Sequence, residues 1–189
     1  MRNIAILASH NGSSFSALYE AKQDKELAIN IPIIISNNSN AAVLEKAKFL
    51  GIKNHIVNGK LYENPDQKIY ELLKENNCEY IFLSGYMKKI SSQLTDNFKI
   101  INAHPSLLPK YGGAGMYGKF VHEAVIDNKE KISGVTIHEV NENYDEGKII
   151  LQKSLEVLSS DNAESLETRV KELESKTIVE AFNKLLSSC

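Results

Sequence analysis

Asn102 and His104 stand two residues apart in the run Ile101-Asn102-Ala103-His104-Pro105-Ser106-Leu107-Leu108-Pro109. Side chains alternate across a strand, so an Asn-x-His pair at a strand end points both polar groups to one face. Pro105 and Pro109 then stiffen the loop behind it. An amide donor beside an imidazole suits a reaction that builds a tetrahedral oxyanion. The amide donates to the oxygen, and the imidazole donates to it and shuttles protons. A single histidine at a strand end is more often structural, so the pair needs a third group. Asp145 supplies one, from the polar turn Asn141-Glu142-Asn143-Tyr144-Asp145-Glu146-Gly147. A carboxylate within a few ångströms would favour the cationic form of His104 and raise its pKa. The alternative is a solvated turn, since Asp, Asn and Gly are ordinary turn residues.

A second candidate is Ser9-His10-Asn11-Gly12-Ser13-Ser14, between the first strand and the first helix. There, backbone N–H groups and the positive end of a helix dipole can hold a phosphate, with Asn11, Gly12, Ser13 and Ser14 as its neighbours. The carboxyl edge of a parallel sheet is also where ligands of open α/β folds bind. The run is neither GxGxxG nor a Walker A loop, which argues for a phosphate monoester over a dinucleotide or an NTP. The alternative is an ordinary N-cap, for which Ser and Asn are common.

The elements that must position these groups alternate along the chain. Strands are expected at Ile4–Leu7, Ile31–Ile35, His55–Val57, Tyr80–Leu83 and Lys99–Asn102. Helices are expected from Ser13 to Lys25, from Ala41 to Leu50 (capped by Asn40 and stopped by Gly51) and from Pro65 through Leu73. That order predicts a parallel sheet with right-handed crossovers. After a Pro- and Gly-rich loop from Pro105 to Gly118 come a helix at Phe120–Asp127 and two β-like runs, Gly134–Val140 and Lys148–Val157. A long amphipathic helix, Ala163–Leu186, closes the chain. The two late runs read as a hairpin, so the sheet becomes mixed at that end. The fold class is therefore α/β: a Rossmann-like, open, mostly parallel twisted sheet flanked by helices, with an antiparallel hairpin on the C-terminal side. One domain of 189 residues is expected. Residues 1–100 would form its phosphate-binding βαβ half and residues 101–189 its catalytic half.

Composition narrows the function. Twenty-two Lys and Arg against 24 Asp and Glu give a formal charge of −2, without the basic excess of a nucleic-acid or anionic-membrane binder. Cys78 and Cys189 lie far apart with no CxxC or Cys/His metal spacing, so both read as reduced bystanders and no metal is expected. The uncharged stretch Leu27–Leu44 is broken by Pro32 and by Ser36 to Asn40, short of a membrane span. No leader pattern opens the chain, and a soluble, cytoplasmic protein is expected.

The run Asn102-Ala103-His104-Pro105-Ser106-Leu107-Leu108-Pro109 closely resembles the signature loop of the folate-dependent formyltransferases. Ala8-Ser9-His10-Asn11-Gly12-Ser13 resembles that family's first loop, and Ser84-Gly85-Tyr86-Met87-Lys88-Lys89-Ile90 its folate-side segment. His138 with Tyr144-Asp145-Glu146-Gly147 resembles its aspartate hairpin. The four segments fall in the family's order, and the likeness spans essentially the whole chain. It is greatest to the single-domain branch that serves purine biosynthesis.

The resemblance implies formyl transfer from 10-formyltetrahydrofolate, as co-substrate, to the amine of 5-phosphoribosylglycinamide. A monomer or homodimer would do this without metal. Asn102 would stabilise the oxyanion, a cationic His104 would donate to it and protonate the departing folate nitrogen, and Asp145 would keep His104 charged and accept the amine's proton. Asn11, Gly12, Ser13 and Ser14 would hold the substrate phosphate, with Lys171 near it and Glu174 accepting from the ribose. For Lys171 a solvated helix face is an equal reading. The pterin would lie on Met87, Lys88, Lys89 and Ile90, beside Asn102 and against Val140, Asn141, Glu142, Asn143 and Tyr144. Departures exist. His10 stands where the family commonly has Gly, and Ser14 where it has Asn. The segment Lys110–Lys119 is longer and richer in glycine, which suits a lid or a changed amine preference. His122 resembles a family histidine with a supporting role, and His55 reads as structural. Two competing readings are a formyltransferase for a nucleotide-linked amino sugar and a phosphate-binding module without catalysis.

Overall fold

Ile4 to Leu7 are apolar on consecutive positions and all fully buried, as in a strand covered on both faces. They end β1 (Arg2–Leu7), the centre of a parallel arrangement in the computed structural model, which describes residues 1–187. Cys189 lies outside the described residues. The chain divides into two compact units, Met1–Ile101 and Asn102–Cys189, each described by itself.

In the first unit β1 is followed by α1 (Ser13–Gln23), β2 (Ile29–Asn30), β3 (Ile33–Ser36) and α2 (Ala42–Phe49). Then come β4 (Lys53–Ile56), α3 (Pro65–Glu75), β5 (Tyr80–Leu83), α4 (Ser92–Thr95) and the start of β6 (Lys99–His104). The strand order is β4-β3-β1-β5-β6, with β2 pairing β1 off that path. Pairing is parallel, with Ile6 opposite Ile34, Ile4 opposite Tyr80 and Ile33 opposite Lys53. The expected strands all form. β4 starts two residues earlier than expected and alternates in exposure, as an edge strand does. β2 and α4 were not anticipated, because elements of two and four residues carry no periodicity.

Helix ends follow one device. At the C-termini of α1, α2 and α3 the residues Lys25, Gly51 and Asn77 take positive φ, and the next N–H reaches back to Ala21, Ala47 and Leu73 carbonyls. This is the Schellman arrangement, and Gly51 holds the C′ place its sequence position suggested. Pro65 opens α3, and the Asn64 side chain accepts from Gln67 N–H. One cap differs from expectation. The N-cap of α2 is Ala41, without a side-chain bond, while the Asn40 N–H is drawn into a turn by Asn38 Oδ1 at 3.0 Å.

In the second unit the end of β6 leads through a loop to α5 (Lys119–Asp127), β7 (Ile132–Glu139), β8 (Ile149–Glu156) and α6 (Ala163–Ser187). The order is β6-β7-β8, and β7 and β8 form the expected antiparallel hairpin. The fold is thus α/β, mostly parallel, with its antiparallel part on the C-terminal side. Val125, Leu166 and Val170 form a buried cluster between α5 and α6, against which Tyr111, Ile126, Leu155 and Val157 pack. Two glycines let the hairpin close. A Cβ on Gly134 would sit 2.1 Å from the Lys153 carbonyl, and one on Gly147 would sit 1.6 Å from the Glu139 carbonyl. The register slips between Ile137, opposite Leu151, and His138, opposite Ile149. Such a bulge re-aims side chains at a sheet's end.

Gly51 has open space around it, so only its backbone conformation resists a side chain. Gly51→Ala is expected to lower the unfolding free energy by about 1 kcal/mol in urea titrations, and Lys25→Gly, at the equivalent place in α1, to leave it equal or higher. Equal stability of Gly51→Ala and the parent would contradict this account.

Candidate active site

The second unit brings Asn102, His104 and Asp145 into one cluster and adds His138 to it. Asn102 and His104 project from the end of β6 on the same side, as strand alternation requires. His138 comes from β7 just past the register slip, and Asp145 from the following loop with φ 59°, a left-handed conformation for a residue with a side chain. The imidazoles of His104 and His138 are 4% and 1% exposed as residues, so little water reaches them.

Each contact has a direction. His104 Nε2 lies 2.7 Å from the Tyr111 carbonyl oxygen. A carbonyl only accepts, so Nε2 carries a proton and Nδ1 faces Asp145 Oδ2 at 3.5 Å. His138 Nδ1 donates to the Glu139 carbonyl at 2.9 Å, which leaves Nε2 to accept from the Asn102 amide at 3.2 Å. His138 Nε2 also stands 3.5 Å from Asp145 Oδ1. The Gly113 N–H donates to Asp145 Oδ2 at 2.9 Å. The loop after β6 therefore touches both ends of the His104–Asp145 pair through main-chain groups.

Charge in the cluster is set by burial against these partners. Burial is the largest influence on His104 and pushes it below the ordinary imidazole range. Asp145 and the Tyr111 carbonyl pull it up, and His138 adds to the lowering. The expected raised, cationic His104 is corrected here. Desolvation of the ring outweighs a carboxylate that lies beyond hydrogen-bonding distance. Burial also opposes charge on Asp145, but the His138 ring, the His104 ring and the Gly113 N–H prevail and hold its carboxyl below the usual range. The free site thus combines a neutral imidazole with an ionised carboxylate. Such a pair takes up a proton readily when a reaction releases one.

In the first unit, Gly12 is the N-cap of α1, with φ 56° and no side chain of its own to cap the helix. No Ser or Asn at the N-cap position itself caps the helix, and one of its first N–H groups is taken from outside the loop, by Ser84. A Cβ on Gly12 would lie 2.6 Å from Val43 Cγ2, so this position needs glycine on two counts. The loop is held by its main chain. Val43 N–H donates to the His10 carbonyl at 3.1 Å and Lys46 Nζ to the Asn11 carbonyl at 3.0 Å. Asn11 and Ser13 face solvent, while Gly12 and Ser14 are buried. Phe15 N–H, one residue on, is taken by Ser84 Oγ at 3.0 Å.

The remaining expected positions are mixed. Met87, Lys88 and Lys89 are exposed and Ile90 is buried. The Met87 N–H already donates to Ser9 Oγ at 2.7 Å, so a pterin on this segment would be read by the main chain from Lys88 onward. Val140 is half-buried, and Asn141, Glu142, Asn143 and Tyr144 are exposed, with the Asn143 N–H folded onto Asn141 Oδ1 at 3.0 Å. On α6, Lys171 is exposed and donates to Glu167 at 2.5 Å, a surface pair one turn apart. Glu174 is half-buried on the same helix. His122 is buried on α5, with its pKa lowered first by burial, and His55 is exposed on β4. Cys78 is buried, and burial pushes its thiol up to about 12, so it is chemically quiet. Among the described residues, no group of three or more His, Cys, Asp or Glu is placed to hold a metal ion, and no helix is long and apolar enough to cross a membrane.

His138 is the group that residue-type reasoning did not assign a role. Its signal was its place on a β-like run two positions beyond Thr136, on the same strand face. Tyr111 and Gly113 act through main-chain atoms and left no trace in side-chain type.

Residues 2–182 match the family described as Formyl transferase. The chain is 34% identical over 191 residues to phosphoribosylglycinamide formyltransferase of Bacillus subtilis (strain 168), covering 98% of this chain and 95% of that protein. It is 33% identical to the chloroplastic phosphoribosylglycinamide formyltransferase of Arabidopsis thaliana, covering 95% of this chain but 63% of the relative. It spans 18% of the human trifunctional purine biosynthetic protein adenosine-3, at 34% identity over 97% of this chain. The chain thus covers less than two thirds of some of these relatives and nearly all of others. The crystal structure of phosphoribosylglycinamide formyltransferase from Bacillus halodurans superposes with a TM-score of 0.90 at 30% identity, over 98% of this chain and 96% of that one. With sequence and backbone agreeing from the first strand into the last helix, this chain belongs to the formyl transferase family.

Proposed function

We propose that this chain transfers the formyl group of 10-formyltetrahydrofolate to the amine of 5-phosphoribosylglycinamide, yielding formylglycinamide ribonucleotide and tetrahydrofolate, as a step of de novo purine biosynthesis. The observation that carries the proposal is the set Asn102, His104, His138 and Asp145, whose two imidazoles are buried and whose amide and carboxyl are half-buried, linked in one chain of contacts from the amide donor through His138 and the carboxylate to the neutral His104. Likeness to proteins named for that reaction supports the choice of acceptor.

The chemistry follows from the protonation states. The amine nitrogen forms a bond to the formyl carbon, and the carbonyl electrons move onto oxygen. Asn102, whose amide carries two N–H groups and uses one on His138, directs the other at that developing charge. The new ammonium must lose a proton, which goes to the His104 Nδ1 and Asp145 pair, directly or through a water. The imidazolium so formed lies against the Asp145 carboxylate at 3.5 Å, and that contact stabilises it. Collapse of the tetrahedral species restores the carbonyl and breaks the bond to the folate nitrogen, which His104 protonates. Proton and electron pairs balance, and His104 returns to its neutral form. His104 is a shuttle charged during turnover and not before it.

Binding is assigned with the same logic. The N-terminus of α1, with Asn11, Gly12, Ser13 and Ser14, takes the acceptor's phosphate. Lys171 and Glu174 of α6 serve the phosphate and the ribose hydroxyls. For the folate, the main chain of Lys88 to Ile90 in the first unit and the segment from Val140 to Tyr144 in the second are the assigned contacts, each taken by itself.

Purified protein with 10-formyltetrahydrofolate should release tetrahydrofolate with the glycinamide ribotide and stay silent with a nucleotide-linked amino sugar or with no amine. Turnover with the sugar nucleotide would shift the assignment to the other acceptor class, and release with water alone would make the protein a hydrolase. His104→Ala and Asp145→Asn are expected to lower kcat by about 10² or more. Gly12→Ala should raise KM for the phosphorylated acceptor by about tenfold while KM for the folate holds, because the obstructed loop no longer offers its N–H groups.

The pH profile tests the correction at His104. Catalysis by a neutral base is lost as pH falls through that base's pKa, and burial sets this pKa below its ordinary value. The acid limb of kcat/KM is therefore expected to have its midpoint below the reference of about 6.5. Asp145→Asn removes an upward influence, so its residual activity should show the limb displaced to still lower pH. A limb above the reference value would mean that the carboxylate outweighs burial.

A further inference from the structure

Tyr111 is held in a backbone conformation it does not favour, and its carbonyl is the partner of His104. Its φ is 55°, in the left-handed region where a residue with a side chain is strained. The surrounding structure must impose that geometry. Just before it, Ser106 Oγ donates to the Lys110 carbonyl at 2.6 Å and fixes the preceding peptide. Just after it, Gly112 leaves no room for a side chain: a Cβ there would meet Leu108 Cδ2 at 2.5 Å and Asp145 Cβ at 3.2 Å. Gly113 then binds Asp145 by its N–H. Any rotation at Tyr111 thus reaches both His104 and Asp145.

The Tyr111 side chain has two polar partners, Glu130 and Asn128, of which the Glu130 carboxylate is the acceptor. Its hydroxyl donates to Glu130 Oε1 at 3.0 Å, and Lys110 Nζ donates to the same oxygen at 3.0 Å. The two donors hold the Glu130 carboxyl below its usual range, so it is ionised and a strong acceptor. The cluster of Val125, Leu166 and Val170 lies on one side, but a cavity of about 210 Å³ bounded by Leu107, Val125, Ile132 and Ser133 adjoins Tyr111 as well. Glu130 itself is firmly placed. It follows Lys129, at φ 53°, and its N–H reaches back to the Val125 carbonyl at 3.1 Å in a fourth Schellman turn, at the end of α5.

We propose that Glu130 and Tyr111 are positioning residues for the proton shuttle: the carboxylate anchors the phenol, and the Tyr111 carbonyl fixes the Nε2–H tautomer and ring angle of His104. Neither side chain touches a reacting atom. Holding the proton on Nε2 keeps Nδ1 as the atom that turns toward Asp145 and gains and loses the proton in each turnover. This rests on the reading of His104 as the proton-transfer group, and it supplies a function for the glycine-rich loop that carries Tyr111.

The tautomer is read by correlating imidazole nitrogen and ring-proton resonances in ligand-free protein, with His104→Ala to assign the signal. The wild type should show the Nε2–H form. Tyr111→Phe, which keeps the ring, and Glu130→Ala, which removes the acceptor of the phenol, should each populate the Nδ1–H form. Each should also lower kcat by about tenfold, as a small misplacement of a reacting group does, with KM for both substrates within about twofold. Glu130→Gln, whose amide oxygen still accepts from the phenol, should retain the wild-type tautomer and most of kcat. A wild-type Nδ1–H tautomer would overturn the proposal. So would wild-type behaviour of both Tyr111→Phe and Glu130→Ala, or a fall in kcat with no change at His104. The spectra need no substrate, so they stand even where the acceptor proves to be a different amine.

Discussion

Removing His104 from water is the constraint around which the second unit is organised. A buried imidazole resists charge, and a carboxylate at a distance of 3.5 Å offsets only part of that resistance. The balance leaves the ring neutral at rest yet beside a group that stabilises it once protonated. A tighter ion pair would hold the proton permanently, and a ring without the carboxylate would gain it too reluctantly. The hairpin, the loop after β6 and the end of α5 all hold groups to that intermediate spacing. Gly147 and Gly134 let β7 and β8 approach, the register slip turns His138 inward, and Gly113 restrains Asp145 from the other side.

The first unit solves a different problem by different means. Its helix α1 starts at a glycine N-cap with no side chain of its own, and the backbone at Gly12 is bent into a form that brings it against Val43. The chain there is secured through carbonyls held by Val43 N–H and Lys46. A loop fastened by its acceptors is suited to present donors, and a phosphate is the ligand that donors and a helix dipole together attract.

Much of this was legible in the residues. Runs such as Ile4 to Leu7 and Ile33 to Ile35 announce strands covered on both faces, and Pro65 and Gly51 mark helix ends because their backbone preferences admit few other places. Asn102 and His104 declared their shared face by spacing alone. What escaped was information not carried by side-chain identity. The charge state of His104 depends on how much water the fold removes, a tertiary quantity. The bonds from Tyr111 and Gly113 belong to the main chain, which every sequence shares. Asn40 offered a plausible cap, but a competing turn with Asn38 formed instead, a choice between two local hydrogen bonds of similar strength.

Asn102, the first residue of the second unit, and Asp145 bound a continuous stretch that also contains His104, Tyr111, Gly113, Glu130 and His138. Every hydrogen bond described for the proton-transfer cluster closes inside that stretch. The loop assigned to the acceptor's phosphate is encoded nearly a hundred residues earlier, on the other unit. Lys171 and Glu174, assigned to the same acceptor, follow the stretch from Asn102 to Asp145, so acceptor preference is open to revision on either flank, with the acid–base apparatus inherited intact as a cassette.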